Sequence, residues 1–294
     1  RAMIAYLVNL ATLIAIFGIA ATSLNLLIGY AGIFSIAHAV FFGIGAYVAA
    51  QVALTFSADF LVAALAAALV AAALSLCLAL PALRVRGEYF VAASLGLQML
   101  ATTIFEEAHG FTGGVGGLVG IPPARIFGFD IVSPDAFLML ALVCLAVTLI
   151  VVQVLMRGSF GRSLMALRDS ESAAEAFGKD VRALKTLVVA VGCFFAGIAG
   201  ALFAFNMAFV NVESFTLSQS VVLMAMVIIG GAGTITGPLV GVIALLSLPA
   251  ALSFLPFIPS TEIGTVQQFI YGVLMTLLMI FRPSGLVGLS RGTR

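Results

Sequence analysis

Apolar stretches of about twenty residues recur along almost the whole chain, separated by short breaks rich in charge, glycine or proline. A run of that length can cross a bilayer as a helix, and in lipid a helix is one of only two ways to satisfy every backbone N–H and C=O. Candidate spans lie near 2–28, 33–57, 60–82, 88–107, 136–156, 186–209, 218–231, 238–255 and 263–281. Composition agrees: 63% of the 294 residues are hydrophobic and 9% are charged, against about 25% charged in a soluble domain. The expected fold class is all-α, a polytopic transmembrane helical bundle of about nine spans with glycine-interrupted helices, forming one domain over residues 1–294.

The charges set an expected orientation. Ten of the 25 charged residues fall between Arg157 and Lys185, and burying them in lipid would cost roughly 2.5–3.5 kcal/mol each. This segment, 157–185, is therefore expected in water. Six of its charges are basic, and Arg282, Arg291 and Arg294 crowd the far end, with Arg84 and Arg86 in a third loop, so these regions are assigned to the cytoplasm. The opposite loops hold Asp59, Asp130, Asp135, Glu213 and Glu262 against Arg125 alone. On this topology the stretch from Glu213 to Glu262 crosses an even number of times, so the Gly-rich break at 230–237 turns near the inside. Nine spans with an inside C-terminus place Arg1 outside, which leads to the expectation that a natural helix precedes it.

Two kinds of segment carry candidate function. The first is GSFGRSLMALRDSESAAEAFGKDVRALK (158–185), where Ser172 and Glu175 have capping-box spacing, short helical stretches are expected at Leu164–Arg168 and Ala173–Phe177, and Gly178 supplies a stop. A short helix of small residues ending in Phe177 can place an aromatic knob in a partner's groove; the bland reading is a solvated loop. The second kind is a glycine-interrupted apolar stretch, found at GYAGIFSIAHAVFFGIGAY (29–47) and GGAGTITGPLVG (230–241), where Gly233, Gly237 and Gly241 recur every four residues and Pro238 breaks the hydrogen-bond ladder. Paired interruptions of this kind point toward a translocation route, with close helix packing as the alternative. The path candidates are Gly32, Ser35, His38, Phe41, Gly43, Gly231, Gly233 and Gly237. His38 is the histidine expected inside a span, either as a functional group or as a neutral ring bonded to a neighbouring helix.

Other chemistries find no footing. Net charge is +1 with no basic stripe, so no nucleic-acid partner is expected. Cys77, Cys144 and Cys193 stand singly in apolar runs, without disulfide or zinc spacing. The glycines of HGFTGGVGGLVGIPP (109–123) do not match a dinucleotide fingerprint and are read as an external loop or lid. The sequence contains no phosphate-binding loop, HExxH, GxSxG or CxxC motif, so neither catalytic nor metal-ligating residues are assigned, and the chain is expected not to be an enzyme.

Seven blocks resemble, in order, those of permeases of high-affinity branched-chain amino acid importers and their urea and amide relatives: residues 24–47, RVRGEYF (84–90), TGGVGGLVGIP (112–122), GRSLMALRDSESAAEAFG (161–178), AGIAGALFAF (196–205), IIGGAGTITGPLVG (228–241) and FRPSGLVG (281–288). Ile33, Ala37 and Val212 depart from the pattern. The resemblance implies a multi-pass subunit of the bacterial inner membrane that pairs with a second related permease. It also implies two ATP-binding-cassette ATPase subunits, which carry ATP and Mg while this chain holds no cofactor, and a periplasmic substrate-binding protein. It assigns Arg168, Asp169, Ser170, Glu171, Ala173, Ala174, Glu175, Ala176, Phe177 and Gly178 to the ATPase-coupling helix. Leucine, isoleucine and valine lead as substrates, with urea, amides and other small carboxylates as alternatives. An ion-coupled transporter would need an acidic residue in mid-span, and none of the twelve acids is clearly so placed; a non-transporting scaffold would leave the structured inner segment unexplained.

Overall fold

A computed structural model describes residues 2–56, 59–83, 88–126 and 128–252, with isolated positions between 266 and 287. Its main elements are α1 (Ala2–Asn25), α2 (His38–Phe56), α3 (Phe60–Leu83), α4 (Glu88–Glu107), α5 (His109–Thr112), α6 (Pro134–Arg157), α7 (Ser159–Asp169), α8 (Glu171–Ala176), α9 (Val181–Met207), α10 (Leu217–Gly230) and α11 (Gly237–Leu252). Five helical stretches, Ile4–Tyr30, His38–Phe56, Tyr89–Glu107, Pro134–Arg157 and Val181–Met207, are long and apolar enough to cross a membrane. Shorter apolar stretches lie at Phe60–Leu76, Leu217–Gly230 and Gly237–Leu248. These eight stretches overlap the first eight expected spans, five of them at full crossing length; the ninth, 263–281, lies mostly outside the described residues. The chain is a multi-pass, helical membrane protein.

Helix ends follow local chemistry. Ser133 caps α6 by accepting from the Ala136 N–H, with Pro134 at its first position, Asp135 in the first turn and Arg157 in the last. Asp180 accepts from the Ala183 N–H and starts α9 at Val181, five residues before the expected start at 186. The second span also differs from expectation, because 33–37 is not helical. Leu26–Tyr30 forms a π turn continuing α1, and Gly32, at φ +70°, lets Ile33 N–H reach back to Leu27 O at 2.8 Å. This left-handed stop ends the helix just where a side chain at position 32 would also meet Arg168.

Helices α2 and α9 form the buried centre, and α3 packs along them. Backbones touch there: a Cβ at Gly197 would meet Ala67 O and Ala68 Cα at 2.8 Å, one at Gly45 would meet Gly197 Cα at 2.5 Å, and one at Gly200 would strike Phe42 O. Such contacts give tight van der Waals packing where lipid supplies no hydrophobic drive between helices. Phe42, Phe203 and Phe215 stack beside this seam with ring centroids 5.4–5.9 Å apart. By contrast α6 shows Met139, Val143, Ile150 and Val154 outward, the face a lipid solvent requires.

One end of the bundle carries short strands that an all-α expectation did not include: Leu118–Val119 (β1), Ala124–Ile126 (β2), Phe129–Ile131 (β3) and Phe209–Val210 (β4). β1 pairs with β4 and β2 with β3, both antiparallel. The expected loop or lid is thus partly tied down. Arg125 and Asp130 bridge the β2–β3 hairpin at 2.7 Å.

Candidate functional site

The interrupted helices meet the charged segment at the end of the bundle opposite the strands. Arg168, near the end of α7, donates from Nη1 to Gly29 O at 2.5 Å. Its Cγ lies 2.8 Å from where a Gly32 Cβ would stand, and its Nη1 lies 2.9 Å from that of Gly233. Gly233, at φ +82°, belongs to the turn between α10 and α11, so this break does turn beside the charged segment, as the topology expected. Asn25 completes the junction: its Oδ1 accepts from Gly233 N–H and its Nδ2 donates to Thr234 O, each at 2.8 Å. Gly237 N–H donates to Thr234 Oγ1 at 3.0 Å, and Thr234 Oγ1 to Gly231 O at 2.9 Å, which closes the turn. The turn at 285–287 joins in, with Leu286 and Val287 N–H donating to Ile229 O and Gly230 O and so satisfying the last carbonyls of α10.

A second polar group lies deeper. Ser220, in the first turn of α10, accepts from Ala39 N–H at 3.0 Å and donates to Gln98 Oε1 at 2.9 Å; Gln98 Nε2 donates to Phe215 O at 2.8 Å. Ser220 lies ten residues before Gly230, about 15 Å along the helix, close to half of a hydrocarbon core of about 30 Å. The N-terminal ends of α2 and α10 therefore meet in mid-bundle, one chain segment arriving from each side. Ile36 N–H is met by Ser94 Oγ at 3.1 Å, so the extended stretch before α2 draws partners from α4 instead of water.

The path candidates divide between these two places. Gly32, Gly231, Gly233 and Gly237 gather at the junction. Ser35, His38, Phe41 and Gly43 are buried within the chain, and a Cβ at Gly43 would press on Phe215 at 2.8 Å. His38 Nε2 lies 2.7 Å from Ser23 Oγ, a bond to the neighbouring helix α1. Ser23 Oγ also lies 2.7 Å from Ala20 O, so it bonds both its own helix and the His38 ring. Asn25, Ser94, Gln98 and Ser220 were not singled out from sequence; the available signal was that each is a polar residue in an apolar span.

The other coupling candidates follow Arg168 out of the junction into α8. α7 buries Leu164 and Leu167 against the bundle. The cap of α8 is Ser170, which accepts from Ala173 N–H, and not Ser172, whose hydroxyl instead lies 3.2 Å from Ser170 Oγ. This register turns Ala174 inward, 2% exposed, and leaves Ala173, Glu175, Ala176 and Gly178 at the surface with Phe177 at 86%. Gly178, at φ +73°, follows the end of the helix as expected. Lys185 Nζ meets Glu171 Oε1 at 2.8 Å and ties α8 to the start of α9, while Asp169 lies 3.8 Å from Arg168.

Residues 6–281 match the model of the family described as branched-chain amino acid transport system / permease component. The chain belongs to this family. It is 29% identical over 97% of its length to the high-affinity branched-chain amino acid transport system permease protein LivM of Escherichia coli K12, and 28% identical over the same share to that of Salmonella typhimurium LT2. In each case 70% of the relative is covered. A probable branched-chain amino acid transport permease protein LivM of Methanocaldococcus jannaschii is 27% identical over 59% of this chain and 53% of its own. No solved structure matches.

Proposed function

We propose that the protein is the permease subunit of an ATP-binding-cassette importer that moves branched-chain amino acids inward across the bacterial cytoplasmic membrane. Segment 157–185 lies in the cytoplasm, and α8 docks onto one of two ATPase subunits that bind ATP and Mg. A second, related permease completes the path, and a periplasmic binding protein delivers the substrate. The observation that carries this reading is the shape of α8: a short helix pinned by Ala174 and the Lys185–Glu171 bridge, holding Phe177 almost fully in the open. A solvated linker gains nothing from an aromatic side chain exposed at the end of a pinned helix, whereas a docking site needs such an anchor.

The test is Phe177→Ala and Glu175→Arg in the reconstituted importer. Losing a buried aromatic anchor at an interface costs about 2 kcal/mol or more, roughly thirtyfold in docking affinity. Substrate-stimulated ATP hydrolysis should fall in both variants while membrane insertion stays normal. Unchanged stimulation in both would defeat the docking assignment.

A further inference from the structure

We propose that Asn25 is a positioning residue that joins the inner ends of the two interrupted helices into one unit, so that motion of α8 reaches both together. The proposal rests on the permease reading above and names how that site transmits movement.

Asn25 stands where α1 gives way to the π turn Leu26–Tyr30, and it is 1% exposed. Its amide uses Oδ1 and Nδ2 on two successive residues of the α10–α11 turn, 208 and 209 positions away in sequence. A two-point bond of this kind fixes rotation as well as distance, because one amide plane must match the Gly233 N–H and the Thr234 carbonyl together. The backbone is stripped of side chains around it. A Cβ at Gly29 would overlap both Asn25 Oδ1 and Gly233 N, and one at Gly233 would stand 3.1 Å from Gly29 O.

Arg168 supplies the third side. Its guanidinium reaches Gly29 O, one π turn beyond Asn25, and two residues later Ser170 caps α8. A displacement of α8 therefore pulls on Gly29, and Asn25 carries that pull to the Gly233–Thr234 turn instead of letting the π turn yield alone. Without the amide, α1 and α10–α11 would still pack together, but no hydrogen bond from α1 would fix the orientation of the 233–234 turn.

A purely structural amide predicts something different. Its loss would lower the amount of folded assembly and reduce transport and ATP hydrolysis in proportion. A linking amide changes their ratio. The experiment uses the intact importer in proteoliposomes, carrying Asn25→Leu, which keeps the shape and removes both bonds, or Gly233→Ala, which keeps Asn25 and crowds Arg168. Leucine transported per ATP hydrolysed is measured together with deuterium uptake at 231–236. In Asn25→Leu the ratio should fall about tenfold and uptake at 231–236 should rise about tenfold, the change expected from losing one or two buried hydrogen bonds, with uptake across α9 unchanged. Gly233→Ala should lower the ratio from the opposite side of the junction.

An unaltered ratio in both variants, or wild-type uptake at 231–236 in Asn25→Leu, would overturn the proposal. Failure of the docking assignment reads out separately, in Phe177→Ala and Glu175→Arg, and leaves the deuterium result as the judge of Asn25.

Discussion

Replacing Gln98 by Leu tests whether the mid-bundle bridge holds the starts of α2 and α10 together. The substitution keeps volume and apolar contact but removes the bonds to Phe215 O and Ser220 Oγ, at 2.8 and 2.9 Å. Hydrogen bonds between helices in membrane proteins average about 0.6 kcal/mol and reach about 1.7, because the membrane-inserted unfolded state also finds partners. Two bonds give about 1–3 kcal/mol, and the stranded Phe215 carbonyl argues for about 2. Ser220→Ala strands Ala39 N–H and Gln98 Oε1 and should cost a similar amount. Since one bond is shared, the two losses should not add: the double variant should be more stable than the sum by about 0.6–1.7 kcal/mol. Unfolding in mixed micelles, with all four proteins compared at the same denaturing detergent fraction, measures each value. A cost below about 0.5 kcal/mol for Gln98→Leu, or strict additivity, would show that the bridge contributes nothing beyond proximity.

The glycine seam gives a second expectation. Gly200→Ala should overpack α9 on α2 and destabilise by about 1–3 kcal/mol in the same assay, whereas Gly96→Ala, where an added methyl meets nothing within 4 Å, should be neutral or slightly stabilising. At the β2–β3 hairpin, the Arg125 guanidinium beside Asp130 holds that carboxyl below its ordinary value, and the arginine is raised in turn. The pair is therefore intact above the ordinary carboxylate range and is lost only as pH falls through the depressed Asp130 value; a titration followed on the Asp130 carboxyl carbon should show a midpoint below that of a free aspartate. Both partners are exposed and screened, so Asp130→Asn should leave the melting temperature unchanged.

The apolar helices and the charged segment between α6 and α9 were legible because bilayer thickness and charge desolvation act on every residue of a run, and a run is visible in sequence. The start of α8 was not. Ser172–Glu175 has the spacing of a capping box, but Ser170 won because its register buries Ala174 and presents Glu171 to Lys185, fourteen positions on. That decision belongs to tertiary packing. The same holds for the polar partners. The glycines at 29–32 and 230–237 marked two breaks, but only the fold shows that Asn25 spans them, since one asparagine in an apolar run carries no address for a partner more than two hundred positions away. Reading Asn25 and Gln98 as intramembrane polar groups needing a bond would have singled them out without naming the bond. The extended 33–37 stretch was missed for a related reason: IFSIA is apolar enough to read as helix, and its escape depends on Gly32 and on the Ser94 hydroxyl of α4, with the Ser220 hydroxyl of α10 meeting the first turn of α2 that follows.

The three breaks share one construction, and it bears on how the permease moves. At 31–37, at 211–216 and at 231–236 the freed backbone is met by a side chain from a distant element, Ser94 for the first, Gln98 for the second and Asn25 for the third, and Ser220 meets Ala39 N–H in the first turn of α2 just after the first break. Helical backbone bonds within α2, α9 and α10 would have to be lost in series to bend those helices, whereas each break is held by one or two side-chain bonds of about 0.6–1.7 kcal/mol. Releasing these five bonds costs about 3–8 kcal/mol, a range that brackets the roughly 5.5 kcal/mol of differential binding needed to carry a two-state equilibrium from 1:99 to 99:1. On the proposed reading, a nucleotide-binding differential of that size at the partner ATPases, acting through α8, would move the breaks while the glycine-packed centre of α2, α3 and α9 keeps its helical bonds.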